Sequence, residues 1–297
     1  MSTSPDNDLV IGPALPSERA EALAFLAAAR AEESSPEGLF VARRAGRLVG
    51  AACSLLQPGR TAILGLPRID RAESEITARR LLAAVCDWLS QQDVCLAQAL
   101  LETPSETDLA VLRKGGFAHL ADLLYLVSLD EEFPTSLPAT PLELEVHCDG
   151  NHDRLVRIVD ATYEQTRDCP QLNGVRPTED VLAGYRGIGV FDPNRWLIVR
   201  HQGRDVGCLL LTDHPQHENY ELVYMGVVPA ARGHGWGTDI TRLAQWLSRC
   251  AGRPRLVLAV DAANEPAIRT YAAAGFQAWD RRSVYVRVFR RAADAVR

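Results

Sequence analysis

Residues Tyr220 to Gly237 read YELVYMGVVPAARGHGWG. From Leu222 to Val228 every residue but Gly226 is apolar, aromatic or β-branched, and the run stops at Pro229, which spells a strand buried on both faces. Arg232-Gly233-His234-Gly235-Trp236-Gly237 follows as a turn. From Thr238 to Cys250, the residues Ile240, Leu243, Ala244 and Leu247 fall on one face at helical spacing. The unit is strand, glycine-rich turn, helix. A side chain at Gly235 or Gly237 would hold a ligand away from the backbone N–H groups that open the helix. Those groups and the helix dipole together make an anion site.

The arrangement resembles motif A of the GNAT superfamily of N-acetyltransferases, whose signature Q/R-x-x-G-x-G/A is met by Arg232, Gly235 and Gly237. It does not fit the dinucleotide-binding GxGxxG, because Asp239 and Ile240 follow where the third glycine belongs. A second stretch stands at the spacing the resemblance requires. Arg255 to Val260 (RLVLAV) is a short apolar strand, and Ala267 to Ala274 is a helical segment stopped by Gly275. Asn264, Ala267, Tyr271, Gly275 and Phe276 match the family's motif B, N-x-x-A-x-x-x-Y-x-x-x-G-F.

The resemblance implies an α/β (α+β) fold of tandem GNAT-like domains. Each would be a mixed, mostly antiparallel sheet flanked by helices, with a splayed central pair of parallel strands. It also implies acetyl-CoA as acyl donor, its pyrophosphate cradled by Arg232, Gly233, His234, Gly235, Trp236, Gly237 and Thr238. Asn264 would contact the pantetheine or phosphate arm, and the N–H groups near Met225 and Val227 would face the thioester carbonyl. Tyr271 would protonate the departing thiolate; a helix tyrosine packed against the strand has the same spacing. Backbone binding is favoured at His234, bidentate phosphate binding at Arg232, and core packing at Trp236 and Trp196. A glycine inside a strand often marks a bulge, so Gly226 is the expected place where the strands part.

An acceptor amine must lose a proton before it attacks. Glu221, at the start of the motif A strand, is the candidate base, with Tyr224 and His214 as alternatives. The long polar segment Thr162 to Gly189 has the character of a binding loop, in which Arg167, Asp168, Asn173 and Arg176 would orient a polar acceptor. Cys169 in that loop is a conceivable nucleophile without an evident base.

At 297 residues the chain is long enough for two cores. A net charge of −6 leaves no basic footprint for nucleic acid. No apolar run approaches a membrane span, and MSTSPDNDLV lacks a signal peptide's basic start and apolar core, so a cytoplasmic protein is expected. The seven scattered cysteines form no CxxC or Cys/His cluster, and no metal is called for. Cys53, Cys86 and Cys208 read as small core residues.

In chain order, strands are expected at 8–12, 39–44, 48–56, 61–66, 94–101 and 123–129. Helices are expected at Ser17 to Glu33, with Ser17 as N-cap, at Ser74 to Gln91, and before Gly115. Asp130 to Pro141 holds three prolines and sets domain boundaries at 1–130, a linker at 131–141, and 142–297. Beyond it come a strand at 143–147, helices at 152–164 and 178–185, strands at 196–200 and 205–212, the two motif units, and a last strand at 283–289. The halves repeat. RRAGRLVGAACSLL at 43–56 lies against RHQGRDVGCLLLTD at 200–213, and Gly116-Phe117 against Gly275-Phe276. Aligned by Pro67 and Pro229, the first half puts Asp70, Glu73 and Glu75 where Arg232, Gly235 and Gly237 stand. Aligned by Phe117 and Phe276, Ser105 and Leu112 replace Asn264 and Tyr271. Carboxylates repel phosphate, so the first half is expected to be a copy without a cofactor site.

The leading expectation is an acetyl-CoA-dependent N-acetyltransferase acting on an amine, a small molecule more than a protein. The alternative is a non-catalytic acyl-CoA-binding sensor or scaffolding protein. Oligomeric state is not legible.

Overall fold

The computed structural model describes residues 8–26 and 36–289. The chain divides into two compact units, one of Met1–Leu120 with Ser283–Arg297 and one of Ala121–Arg282. The proline-rich stretch 131–141, expected to be a linker between domains, therefore lies inside the second unit.

The first unit is built of β1 (Leu9–Pro13), α1 (Arg19–Leu26), β2 (Gly38–Arg44), β3 (Arg47–Gln57), β4 (Thr61–Leu64), β5 (Arg68–Ile69), α2 (Glu75–Ser90), β6 (Leu96–Leu101) and α3 (Glu106–Lys114). Ser17 does not cap α1 but sits in a 3-10 turn, Pro16–Glu18. The expected continuation of that helix, residues 27–33, lies outside the described residues. The hairpin forms as read, with Ala45 at φ 50° and Gly46 at φ 77° making its two-residue turn. The short strand β5, pairing with β3, was not legible in sequence.

β7 (Ala118–Leu129) leads into the second unit: β8 (Glu143–Val146), α4 (His152–Thr162), α5 (Thr178–Arg186), β9 (Trp196–His201), β10 (Arg204–His214), β11 (Asn219–Val227), α6 (Trp236–Cys250), β12 (Arg255–Asp261), α7 (Glu265–Ala273) and β13 (Gln277–Val288). Within this unit the sheet runs β7-β12-β11-β10-β9-β8. All pairs are antiparallel except β11 with β12. The first unit repeats that plan, with β4 parallel to β6 through Thr61–Ile63 and Leu96–Gln98.

The duplication shows in local geometry. Gln202 at φ 49° and Gly203 at φ 75° repeat the turn at Ala45 and Gly46, while Gly275 at φ 82° repeats Gly116 at φ 79°. The copies trade their final strands. Leu123–Leu129 from the first half of the sequence pair with β12, and Ser283–Val288 from the end of the chain pair with β6.

The second unit's core lies between its sheet and α6 and α7. It holds Leu209, Leu211, Ile240, Ala244, Leu256 and Leu258, all nearly or fully buried. A separate cluster under α4 and α5 surrounds the fully buried Trp196 and includes Cys208. Cys86 is likewise buried, whereas Cys53 is half-buried. Among the described residues no helix is long and apolar enough to cross a membrane.

Candidate active site

β11 and β12 run together for three residue pairs, Asn219 with Arg255, Tyr220 with Leu256 and Glu221 with Val257, and then part. Beyond Glu221 the two strands wall a cavity of about 450 Å³. This is why only the start of β11 is well buried, whereas Val223 to Val227 are half-buried, against the expectation of a strand buried on both faces.

The bulge lies at Val223, not at Gly226, because Leu210 pairs with Tyr224 while the next residue, Leu211, pairs with Leu222. Gly226 has a different reason. A Cβ there would come within 2.7 Å of the Thr162 side chain at the end of α4. The bulge also sets the direction of the backbone. Val228 donates its N–H to Val206 across the pair with β10, at 3.0 Å. Antiparallel pairs alternate between bonded and unbonded residues, so Met225 and Val227 turn their N–H groups away from β10 and into the gap.

The turn after β11 continues this row of donors. Gly233 and Gly235 sit at φ 85° and 81°, which side chains rarely adopt, and a Cβ at either would stand in open space. Gly235 is the N-cap of α6 and no side chain caps the helix, so its first N–H groups are open to an anion. Gly237 also lines the cavity, as does Thr238, whose N–H bonds Gly235 at 3.0 Å.

The side chains of this turn bond and stack within the protein. Arg232 lines the cavity, yet its guanidinium donates to the carbonyls of Val227 at 3.1 Å and Thr162 at 2.9 Å, clamping the turn to β11 and α4. His234 is absent from the cavity lining. Its Nδ1 lies 3.1 Å from the Arg232 carbonyl and its ring stacks on Trp236 with centroids 4.7 Å apart. Trp236, half-buried at the first turn of α6 between His234 and His201, packs against the core as expected and also lines the cleft.

Tyr271 is buried on α7 and lines the same cavity. Burial, reinforced by the Asp168 carboxylate, holds its phenol well above the ordinary value, so it is a protonated donor at neutral pH. Asn264 caps α7 by accepting from the Ala267 N–H at 3.4 Å and hydrogen-bonds Asp168.

Of the four residues expected to recognise an acceptor, Arg167 and Asp168 line this cleft. Asp168 accepts the N–H of Asp261 at 3.1 Å, which pins the loop to the end of β12, and burial raises its carboxyl above the usual range. Asn173 donates to the Tyr163 carbonyl at 3.0 Å, and neither Asn173 nor Arg176 lines the cleft. Cys169 has its thiol pushed up to about 12, chiefly by burial, and is no nucleophile. Tyr224 also borders the cleft, with its hydroxyl 2.6 Å from Thr162 Oγ1; burial keeps it a phenol, so it is no base.

Glu221 does not point into this cleft. It lines a second cavity of about 600 Å³ whose residues come from the second unit. There it accepts a hydrogen bond from His214 Nε2 at 2.9 Å. Glu221 and Leu222 are consecutive, as are Leu258 and Ala259; the first of each pair lines the second cavity and the other lines the cleft. Consecutive strand residues face opposite sides of the sheet, so the two cavities open on different faces near the place where β11 leaves β12. Sequence reasoning missed Tyr125 and Trp279, which reach the second cavity from separate elements and share no spacing with the motifs.

The corresponding turn of the first unit carries Glu73 where Gly235 stands in the second. Glu73, just before α2, accepts two hydrogen bonds from Arg44 at 2.9 Å and one from Thr77 at 2.6 Å. These hold its carboxyl down at about 2. The acid is an internal anion at a helix start. Ser105 caps α3 as Asn264 caps α7, and Leu112, opposite Tyr271, is fully buried.

A splayed parallel pair, a donor-lined β11 and an uncapped glycine turn define the GNAT acetyltransferase fold. Residues 159–276 match the family model described as the acetyltransferase (GNAT) family. Among curated proteins, a mycothiol acetyltransferase from Streptomyces bingchenggensis is 34% identical over 97 residues, 32% of this chain and 31% of its own length. One from Arthrobacter sp. is 34% identical over 113 residues, 36% of this chain and 35% of its own. The chain thus spans only about a third of the relatives it matches. Among solved structures, a GCN5-related N-acetyltransferase from Sphaerobacter thermophilus superimposes with a TM-score of 0.62 at 15% identity, covering 97% of this chain and 98% of its own. A tandem GNAT protein from the clavulanic acid biosynthesis pathway gives 0.53 at 16% identity, covering 96% and 99%.

Proposed function

We propose that the second unit is an N-acetyltransferase that takes acetyl-CoA in the cleft between β11 and α7 and passes the acetyl group directly to an amine. The observation that carries this reading is the continuous row of backbone donors. It begins at the Met225 and Val227 N–H groups and ends at the uncapped start of α6, where Gly233 and Gly235 leave space for a phosphate. Such a row suits a thioester carbonyl at one end and a pyrophosphate at the other.

In this reading the amine nitrogen bonds to the acyl carbon while the Met225 and Val227 N–H groups hold the developing oxyanion. The carbon–sulfur bond then breaks, and the thiolate takes the Tyr271 proton. The proton of the attacking nitrogen passes to the Glu221 carboxylate, which stands at the splay with His214 bonded to it. The relatives named mycothiol acetyltransferase favour a small-molecule acceptor over a protein amine. Seven free cysteines fit a reducing, cytoplasmic setting.

Titration calorimetry of acetyl-CoA tests the proposal. Wild type should bind at one site per chain, and Gly235→Glu, which forces a side chain into φ 81° and a carboxylate into the cradle, should not bind. Unchanged binding in the variant, or two sites per chain, would overturn it.

A further inference from the structure

The second cavity sets one carboxylate against an apolar and aromatic wall. At the splay stand the Glu221 carboxylate, 28% exposed, and His214, 21% exposed, bonded to each other at 2.9 Å. Glu221 is the only carboxylate among the residues lining this cavity. The lining Arg255 donates to the His217 carbonyl, and the Asn219 amide donates to Tyr220 at 3.3 Å. Beside Glu221 stand its strand partner Val257 and, across β12, Val127; Tyr125 and Trp279 complete the apolar wall, and Leu129 lies farther off beside Arg255. Trp279 is 59% exposed and meets Tyr125 edge to face at 5.9 Å, while the Arg282 guanidinium lies 5.1 Å from the Tyr125 ring centre. An exposed indole beside a row of aliphatic side chains is a surface that water does not favour.

We propose that this cavity is the acceptor site and takes a primary amine carried on a flat apolar body, an arylalkylamine. The assignment rests on the acetyltransfer reading above. An ammonium group is matched by the single carboxylate at the splay, next to the cleft that would hold the acyl carbon. The ring body is matched by Trp279 and Tyr125, which offer edge and face to an aromatic partner. A polyhydroxylated body is disfavoured, because its hydroxyls would lie against Val127, Leu129 and Val257 without hydrogen-bond partners. The volume of about 600 Å³ is that of a small-molecule pocket.

The test is CoA release from acetyl-CoA with tryptamine, phenethylamine or glucosamine as acceptor, using the whole chain. Arylalkylamines should exceed glucosamine in kcat/KM by about tenfold or more, the discrimination expected when a site leaves polar groups unpaired. Trp279→Ala should raise KM for tryptamine by up to about tenfold while kcat changes little, the effect of losing one ring contact. Because Trp279 is exposed, its variant should melt like wild type. Calorimetry of tryptamine with the CoA-loaded protein reads the site without turnover and should show binding that Trp279→Ala weakens. Preference for glucosamine, or a KM and tryptamine affinity indifferent to Trp279, overturns the assignment. Acetyl-CoA binding without turnover of either arylalkylamine also overturns it and leaves the donor cleft standing. Absence of acetyl-CoA binding instead overturns the acetyltransfer reading.

Discussion

Gly226 shows how a residue identified from sequence for one reason serves another. Its lack of a side chain lets the end of α4 close on β11, and the bulge that a strand glycine suggested falls three residues earlier, at Val223. Gly226→Ala should therefore destabilise the protein by roughly 1–3 kcal/mol through overpacking, read as a lower denaturant midpoint at constant m. The motif B resemblance singled out Tyr271, and the structure places it in the lining of the cleft. Tyr271→Phe should lower kcat by about 10²-fold, the low end for a lost general acid, with acetyl-CoA affinity nearly unchanged. An unchanged kcat would reduce Tyr271 to packing. Arg232 is the opposite case. Its position in the motif was visible, but its two bonds to backbone carbonyls follow from where α4 ends, which local sequence does not encode.

Helix starts carry the difference between the two copies. α6 opens on glycines with no side-chain cap, whereas α2 opens beside Glu73, held by Arg44 and Thr77. Sequence alignment of the halves located the acids, and charge repulsion was the reason offered for expecting no phosphate there. What it did not give is that Glu73 is satisfied from within, by an arginine on β2 far away in the chain. The sign of its linkage is definite. Its carboxyl titrates at about 2 in the folded protein and near 4.5 when free, so the stability it supplies is complete above 4.5 and is lost as pH falls toward 2. Glu73→Gln should lower the melting temperature at pH 7, and the gap to wild type should narrow on acidification through that window. A gap independent of pH would contradict the ion pair's role.

Across the whole chain, the exchange of final strands decides what can be separated. β12 pairs along seven residues with Leu123–Leu129, and Gln245 of α6 donates to Ser128 at 2.8 Å. A fragment cut at the proline-rich stretch, residues 142–297, loses that strand and should show no cooperative melt by circular dichroism. A fragment of residues 121–282 should keep one. Cooperative melting of the 142–297 fragment at the full-length temperature would refute this. By itself the sequence determined the repeated order of strands and helices, the glycine turn, the two motifs and the acids that replace them in the first copy. All of these are written in periodicity or in spacing within a few turns. Tertiary structure alone decided which strand completes which unit, that the Arg232 guanidinium bonds backbone carbonyls, that the exposed His234 ring stacks on Trp236, and that Asp168 lines the cleft beside β11. It also brought Glu221 and His214 together with Tyr125 and Trp279 in a second cavity. Pairing across a sheet joins residues more than a hundred positions apart, and no local pattern records which face of a strand a distant side chain will meet.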